Sequence, residues 1–376
     1  MEQGRVSRVV KIGGFSHVRP VFIGGGYPVV IQTMYKDRLS LSGLKDAAAK
    51  INDLETIGCE LLRFAVPDMQ SAQALGRLAE MVAMPLAADI HFDYKIALRC
   101  LDFPIAKIRI NPGNIGGREK TAAVLEKAAA GNIPIRIGVN AGSLPAGLRG
   151  QAEQGMDTAE ALFLAAQREL AVFEEFGFTD YLVSMKASTI ADTIKANRVF
   201  SDRCDAPLHI GVTEAGPLAA GVVRNTAALL ALLSEGIGDT IRVSLSDTME
   251  NEVIAAREIL AAAAQLPQQN AAGSAARMSK LKKRGVSIIS CPRCGRHGFD
   301  THGFTGRWLH RLYALDRDIT VAVMGCEVNG PQEAKCADLG ITGAGDKVLI
   351  FRHGKVTRTI NACEADSVFE EELNRI

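Results

Sequence analysis

Three cysteines in the last quarter of the chain are spaced like ligands of a metal centre. Cys291 and Cys294 form a Cys-Pro-Arg-Cys-Gly turn that puts two thiolates on one tight loop, and Cys326 follows in a Gly-Cys-Glu-Val-Asn-Gly-Pro segment. Taken alone, the turn favours a structural zinc site. Structural zinc usually takes a second Cys-x-x-Cys or a pair of histidines, and this sequence has no second Cys-x-x-Cys. Three thiolates with an incomplete fourth position instead fit an iron–sulfur cluster with one accessible iron.

The other cysteines have different expected roles. Cys336 could complete a four-cysteine set, so the spacing alone leaves the fourth ligand open. Cys59, Cys100 and Cys204 lie in or near predicted helices, and we expect them to pack as small apolar residues. Eight cysteines in 376 residues are too sparse for a disulfide scaffold, which favours a reducing compartment, the cytoplasm.

A second set of polar residues lies within or just after apolar segments, where an unpaired charge would be costly. The set is Arg63, Asp89, His91, Arg109, Asn111, Arg136, Asn140, Lys186, Glu214, Arg242 and Ser244. It includes five cations on five different segments, and only Asp89 and Glu214 are evident acidic partners. We therefore predict a site for a multiply charged anion, since arginine suits phosphate oxygens. The alternative is that each cation pairs with a carboxylate inside the fold.

A repeated unit explains how these residues could meet. A short β-branched segment followed by an Ala- and Leu-rich helical segment occurs eight times, with the β-branched parts at 29–34, 61–66, 86–90, 106–111, 134–140, 180–187, 207–215 and 240–246. Nearly continuous apolar segments are typical of parallel strands buried on both faces. Eight units predict an α/β fold, a (β/α)8 TIM barrel, in which the polar carboxyl ends of the strands share one mouth. A doubly wound open sheet is the structural alternative, but such a sheet seldom needs eight parallel strands.

The domain organisation follows from a change in composition. We predict a barrel domain over residues 1–265, a linker over 266–286 and a smaller α+β domain over 287–376 that holds the metal-site cysteines. In the smaller domain, short strands are predicted at 286–290, 320–324, 347–352 and 355–360, with helices at 306–315 and 367–373. His353-Gly354 is predicted to be a hairpin turn between the last two strands. The basic segment 280–284 is expected to be a solvated surface.

Composition excludes several classes of protein. Lys and Arg number 43 against 42 Asp and Glu, a formal net charge of +1, which argues against binding nucleic acid through bulk charge. No apolar segment reaches the ~18 residues of a membrane-spanning helix. The first ten residues lack an apolar core and a cleavage site, so we expect no signal peptide.

With these motifs considered together, the chain resembles the bacterial 4-hydroxy-3-methylbut-2-enyl diphosphate synthases, the iron–sulfur enzymes of the methylerythritol phosphate route to isoprenoids. The resemblance covers nearly the whole chain. It rests on segments 88–93, 109–114, 134–143, 184–188, 211–216, 235–244, 290–294 and 325–334. It implies a [4Fe–4S] cluster held by Cys291, Cys294, Cys326 and the carboxylate of Glu333, an oxygen ligand that substrate can displace.

The same resemblance implies the substrate and the roles of the barrel residues. The substrate would be 2-C-methyl-D-erythritol 2,4-cyclodiphosphate, and the residues implied to hold its diphosphate are Arg63, Arg109, Arg136, Lys186, Arg242 and Ser244. Asp89, His91 and Asn140 would shape the site, and Glu214 would donate a proton. Ring opening and loss of a hydroxyl as water would take two single electrons from reduced ferredoxin or flavodoxin. The resemblance also implies a homodimer in which each cluster domain covers the partner's barrel.

Two other functions are considered. One is a non-redox, phosphate-binding TIM-barrel transferase with a structural zinc knuckle. The other, a nucleic-acid-binding module, would leave the anion-lined barrel without a role. Three departures from the family pattern also bear on the site: Gln332 replaces an expected glycine, Tyr35-Lys36-Asp37 replaces Thr-Asn-Thr after the first strand, and Cys336 is an extra thiol.

Overall fold

Eight parallel strands form a barrel in this computed structural model, which describes residues 6–111, 115–266, 285–327 and 330–376. The strands are β3 (Val30–Met34), β4 (Leu61–Ala65), β5 (Leu86–Asp89), β6 (Lys107–Ile110), β7 (Ile135–Asn140), β8 (Tyr181–Lys186), β9 (His209–Ile210) and β10 (Thr240–Ile241), preceded by β1 (Val10–Ile12) and β2 (Val21–Ile23). Their order is β8-β7-β6-β5-β4-β3-β10-β9. A parallel bridge between Val183 and Leu208 joins the two ends. The predicted TIM barrel is confirmed.

Helices alternate with the barrel strands. They are α1 (Leu44–Thr56), α2 (Met69–Ala79), α3 (Tyr94–Cys100), α4 (Arg118–Ala130), α5 (Ala146–Glu153), α6 (Thr158–Glu175), α7 (Ile190–Arg203), α8 (Leu218–Ser234) and α9 (Met249–Gln265), with 3-10 turns at Leu41–Gly43 and Ala141–Ser143. Asp157 caps α6 by accepting a hydrogen bond from the Ala159 N–H, as its place before the helix predicts. None of the described helices is both long and apolar enough to cross a membrane.

The antiparallel hairpin β1–β2 covers the amino-terminal end of the barrel. Val10, Ile12 and Ile23 are buried in one cluster with Leu61 and Ala87, which lie at or near the amino ends of β4 and β5. This hairpin was not predicted, because three-residue strands carry too little alternation to be recognised. Its consequence is that apolar packing covers this end of the barrel.

Two predicted strands are too long. The segments 207–215 and 240–246 contribute only His209–Ile210 and Thr240–Ile241 to the sheet. Just beyond β9, the backbone approaches the neighbouring segment so closely that a β-carbon at Gly211 would lie 2.3 Å from the Arg242 carbonyl oxygen. The remainder of each segment is therefore loop, and these loops carry Glu214, Arg242 and Ser244.

The second unit, Lys283–Ile376, contains a five-stranded mixed sheet. Its elements are β11 (Val286–Ser290), α10 (Thr301–Tyr313), β12 (Ile319–Met324), the single turn α11 (Gly330–Glu333), β13 (Leu339–Ala344), β14 (Lys347–Arg352), β15 (Lys355–Asn361), the 3-10 turn Ala362–Glu364 and α12 (Ala365–Asn374). β11, β12 and β13 are parallel, and β13, β14 and β15 are antiparallel. The predicted hairpin turn is confirmed, because His353 and Gly354 both have positive φ, 47° and 76°.

Strand β13 was missed, and its glycines explain why. Gly343 and Gly345 together look like a turn in the sequence, but Gly343 is a strand residue, and of the two only Gly345 has a positive φ. A β-carbon at Gly343 would lie 2.5 Å from the Gly298 carbonyl carbon, so the strand needs glycine where the cysteine loop packs against it. Of the predicted linker 266–286, residues 267–284 lie outside the described residues.

Candidate active site

A polar cavity lies at the carboxyl ends of the barrel strands. It is lined by Arg63, Asp89, His91, Arg109, Arg136, Asn140, Ser184, Lys186, Thr213, Arg242 and Ser244. The nine residues predicted to bind substrate are all in this set, and Ser184 and Thr213 were not foreseen. Glu214, the predicted proton donor, is exposed directly after Thr213 and has the left-handed backbone conformation, with φ of 51°.

One arginine lies deeper than expected. Arg136 was predicted near the carboxyl end of its strand, but it is the second residue of β7 and pairs in register with Arg109 of β6. Its side chain is only 2% exposed and still reaches the cavity. The length of the arginine side chain explains the difference, because it carries a charge from the middle of the barrel to the mouth.

The first buried carboxylate of the cavity is Asp89, at the end of β5. Its Oδ1 accepts a hydrogen bond of 3.1 Å from Arg109 Nη1, and its Oδ2 lies 3.4 Å from Arg63 Nε. Burial by itself would raise the pKa of Asp89. The charge of Arg63, a hydrogen bond from His91 and the charge of Arg109 outweigh burial and hold that pKa well below its usual range. Asp89 is therefore ionised and fixes two arginines.

The second carboxylate was not predicted. Glu252 of α9 is 1% exposed and lies 3.3 Å from Arg242 Nε and 3.2 Å from Arg242 Nη2, both of which donate to it. In the sequence Glu214 was the other evident acidic residue near the strand ends, whereas the carboxylate that pairs with Arg242 in the structure is Glu252. Glu252 is on a helix rather than a strand, so no pattern in the strands could reveal that it points into the barrel.

A sixth cation lies beneath the cavity. Lys107 of β6 is 1% exposed, and its Nζ donates to Gln32 Oε1 at 2.9 Å. His209 is also buried at this level, with Nδ1 3.1 Å from Thr240 Oγ1. Lys107 precedes Arg109 by two residues, so strand alternation puts both on the inner face, a signal that could have revealed it.

The barrel interior thus holds more positive than negative charge. The buried or partly buried cations in and beneath the cavity are Arg63, Lys107, Arg109, Arg136, Lys186 and Arg242, and among the described residues the carboxylates that form ion pairs with them are Asp89 and Glu252. Burial lowers the pKa values of Lys107, Arg136 and Lys186 far below their usual range, and neighbouring cations lower them further. Within the described residues, Arg136 Nε and Nη1 have no hydrogen-bond partner. Unpaired buried donors of this kind are costly, and a polyanion would satisfy them.

In the second unit, two loops bring the metal-site cysteines to one edge of the sheet. Cys291 follows β11 directly, and Cys326 follows β12, the parallel neighbour of β11. The Cys291 N–H donates to the Val323 carbonyl at 2.9 Å, and the Gly298 N–H donates to the Gly325 carbonyl at 2.8 Å. The loops that carry Cys291, Cys294 and Cys326 are therefore tied together by main-chain hydrogen bonds.

The surroundings differ between these thiols. A β-carbon at Gly325 would lie 3.4 Å from Cys291 Sγ, so glycine leaves space beside the sulfur. Cys294 is exposed, and the pKa of its thiol is lowered because the backbone N–H of Arg296 donates a hydrogen bond to it. A thiolate is the form that binds soft metals.

The donor set fits a thiolate-ligated metal centre, although its side chains are not closed around one point. Across the parts of the chain that the structure describes, no three His, Cys, Asp or Glu side chains converge on a metal-sized position. Glu333 is exposed in the short turn α11, and Cys336 is exposed three residues later. Both candidate fourth ligands therefore lie in the segment that follows Cys326.

These features define a class: a TIM-barrel protein with a cation-lined cavity at the carboxyl ends of its strands and an α+β domain that carries Cys291, Cys294 and Cys326 on neighbouring loops. Residues 15–257 match the family model described as the GcpE TIM-barrel domain, and residues 287–375 match the GcpE protein C-terminal domain. The chain belongs to the GcpE family.

Similar proteins agree with this assignment over the full chain. A protein of Treponema pallidum named 4-hydroxy-3-methylbut-2-en-1-yl diphosphate synthase (flavodoxin) is 48% identical, covering 98% of this chain and 92% of its own length. Proteins of the same name from Treponema denticola and Thermodesulfovibrio yellowstonii are 45% and 42% identical, each covering 100% of both chains. The resemblance stated from the sequence is confirmed, and these names do not fit the transferase alternative.

The buried Arg136 gives a prediction for stability. Arg136→Met removes a buried cation whose Nε and Nη1 have no hydrogen-bond partner among the described residues, so the free energy of unfolding of the free protein should rise by about 1–3 kcal/mol. The same variant should lose the rise in thermal midpoint that inorganic pyrophosphate gives the wild type. The measurement is thermal and urea unfolding with and without pyrophosphate.

The matched control is Arg118→Met, because Arg118 pairs with Glu175 on the surface and should affect neither measurement. An Arg136→Met protein that still gains stability from pyrophosphate would show that Arg136 does not contact the anion.

Proposed function

We propose that this chain is a 4-hydroxy-3-methylbut-2-en-1-yl diphosphate synthase. It opens the ring of 2-C-methyl-D-erythritol 2,4-cyclodiphosphate by reductive dehydroxylation and forms 4-hydroxy-3-methylbut-2-enyl diphosphate, an isoprenoid precursor. Membership of the GcpE family and the names of full-length relatives support the activity. The observation that carries the proposal is the excess of buried cations in the barrel, which a cyclic diphosphate dianion would balance.

In this proposal the cavity residues have two kinds of role. Those that bind the diphosphate are Arg63, Arg109, Arg136, Lys186, Arg242 and Ser244. Asp89 and Glu252 hold arginines in place rather than contact the substrate, and His91 and Asn140 line the opening of the cavity. Cations placed in this way neutralise the charge that develops on the diphosphate as the ring opens.

The departing hydroxyl needs a proton before it leaves as water. Glu214 is the candidate donor, because it is exposed beside the cavity residue Thr213 and its strained backbone is typical of functional positions. The overall conversion takes up two electrons, and one proton goes to the hydroxyl oxygen. Asp89 does not serve as this proton donor in the proposal, because its carboxylate is already ionised between Arg63 and Arg109.

Cys291, Cys294, Cys326 and Glu333 would hold a [4Fe–4S] cluster. When bound, the cluster would supply single electrons and one iron open to the substrate oxygen. The lowered pKa of Cys294 supports thiolate ligation, and a carboxylate is a harder and more easily displaced ligand than a fourth thiolate. The eight cysteines all lie in the described part of the chain and none forms a disulfide, which suits a reducing cytoplasm.

The electron donor is a reduced flavodoxin, with ferredoxin as the alternative. The names of the relatives support flavodoxin. Both donors are soluble proteins, so the proposal involves neither nucleic acid nor a membrane.

A homodimer is the proposed assembly. Helix α9 runs back from the barrel mouth, so the chain leaves the barrel near the opposite end. A linker of ~20 residues spans at most ~65 Å, which allows a chain to reach its own mouth, but lending the cluster domain to a partner is simpler. Each active site would then combine the barrel of one chain with the cluster domain of the other.

Removal of single thiols tests the cluster. Anaerobically purified wild type should be brown and contain iron and sulfide, and Cys294→Ser should lose the colour and the turnover with reduced flavodoxin. Cys204→Ser is the matched control and should retain both, since Cys204 lies at the end of α7 in the barrel unit. A colourless wild type that contains one zinc ion would contradict the proposal.

The same series identifies the fourth ligand. Glu333→Ala should lower iron content and turnover, whereas Cys336→Ser should change neither, because the proposed ligand is the carboxylate. The reverse pattern would assign the fourth position to Cys336.

Coexpression of two inactive variants tests the dimer. An Arg136→Met chain has a defective barrel and a Cys294→Ser chain a defective cluster domain, so a mixed dimer that exchanges domains contains one intact site. Random pairing should restore about a quarter of the wild-type activity. If each chain used its own cluster domain, the mixture would stay inactive.

A further inference from the structure

Lys36 lies in the loop after β3, within the segment Tyr35-Lys36-Asp37 that departs from the family pattern. Its ammonium donates to the main-chain oxygens of Leu245, at 2.8 Å, and Asp247, and it lies 3.1 Å from Glu252 Oε1. An ammonium has three donors, and here each has one acceptor. Lys36 therefore joins the loop after β3 to the segment between β10 and α9.

The carboxylate that Lys36 contacts is also the partner of Arg242. Glu252 is 1% exposed and accepts hydrogen bonds from Arg242, from Thr33 Oγ1 and from the Leu245 N–H. Arg242 and Lys36 are less buried, with side chains 14% and 29% exposed. Two cations thus share one buried carboxylate, and only Arg242 of the two lines the anion cavity.

This sharing decides how much charge Arg242 can offer to a ligand. If Glu252 had Arg242 as its one cationic partner, the pair would be neutral and would attract an anion weakly. With Lys36 included, the three side chains carry a net charge of +1 close to the cavity. In a partly buried setting, a full unit of charge changes anion affinity far more than it would at the surface.

We propose that Lys36 is a positioning residue that keeps Arg242 available to a bound diphosphate by taking up part of the charge of Glu252. The inference rests on the proposed function, because it assigns a further determinant of the same anion site. Lys36 also fixes the main chain at Leu245 and Asp247, which closely follow the cavity residue Ser244.

Inorganic pyrophosphate is the probe, measured by calorimetric titration into the full-length, anaerobically purified protein. Lys36→Met should weaken pyrophosphate binding about tenfold, since it removes one charge and returns Glu252 to Arg242 alone. The KM for the cyclic diphosphate should rise by a similar factor, whereas kcat should stay within about twofold. Lys36→Arg retains the charge and should lose about threefold or less.

The double variant Lys36→Met with Glu252→Gln separates charge sharing from a merely structural contact. Removing the charge of Glu252 releases Arg242, so the double variant should bind pyrophosphate more tightly than Lys36→Met alone. The matched control is Lys127→Met, because Lys127 on the outer helix α4 also donates to a main-chain oxygen, that of Leu98, and to a carboxylate, that of Asp102. It should bind pyrophosphate like the wild type.

The inference would be overturned by a Lys36→Met protein that binds pyrophosphate as tightly as the wild type. It would equally be overturned if the double variant bound no more tightly than Lys36→Met, because the contact would then act through structure alone. A wild-type protein that neither binds pyrophosphate nor converts the cyclic diphosphate would overturn the proposed function itself, and this inference with it.

Discussion

The uncompensated positive charge inside the barrel is the constraint on which the rest of the site depends. Asp89 and Glu252 hold three of the arginines in place, but they balance only part of the charge that Arg136, Lys186 and Lys107 add. Keeping these cations buried destabilises the free protein, and the remainder of the fold must offset that cost. Apolar packing of the hairpin β1–β2 under the barrel contributes to the offset and leaves the mouth as the polar entrance.

The two units divide the chemistry between them. The barrel supplies orientation and charge neutralisation, and the smaller unit supplies thiols on loops tied by main-chain hydrogen bonds at the ends of two parallel strands. Glycine at positions 325 and 343 makes this second arrangement fit, because a side chain at either would crowd the sulfur or the loop. Both sites thus use the same principle, in which the carboxyl ends of parallel strands present polar groups at one edge.

Sequence reasoning found the barrel and its mouth because charged residues inside apolar strands are conspicuous, and cations on several different strands, such as Arg63, Arg109 and Lys186, favoured a shared polar site. It missed Glu252, since the sequence does not show whether a helical glutamate points into the barrel or into solvent. It missed β13, because the sequence does not distinguish a glycine required for close packing, such as Gly343, from a glycine required for a turn, such as Gly345. It placed Arg136 too near the mouth, because the sequence does not show that an arginine early in a strand can extend its charged group to the carboxyl end.

The most direct test of the account is a calorimetric titration of the cyclic diphosphate into the wild type and into a Lys186→Met variant at neutral pH. Lys186 is buried, lines the cavity and lies among other cations. The account predicts tight binding by the wild type and binding about tenfold weaker or more by Lys186→Met, because one of the buried charges that the anion balances is removed. Weak binding by the wild type, or equally tight binding by Lys186→Met, would contradict the claim that excess buried charge builds this site.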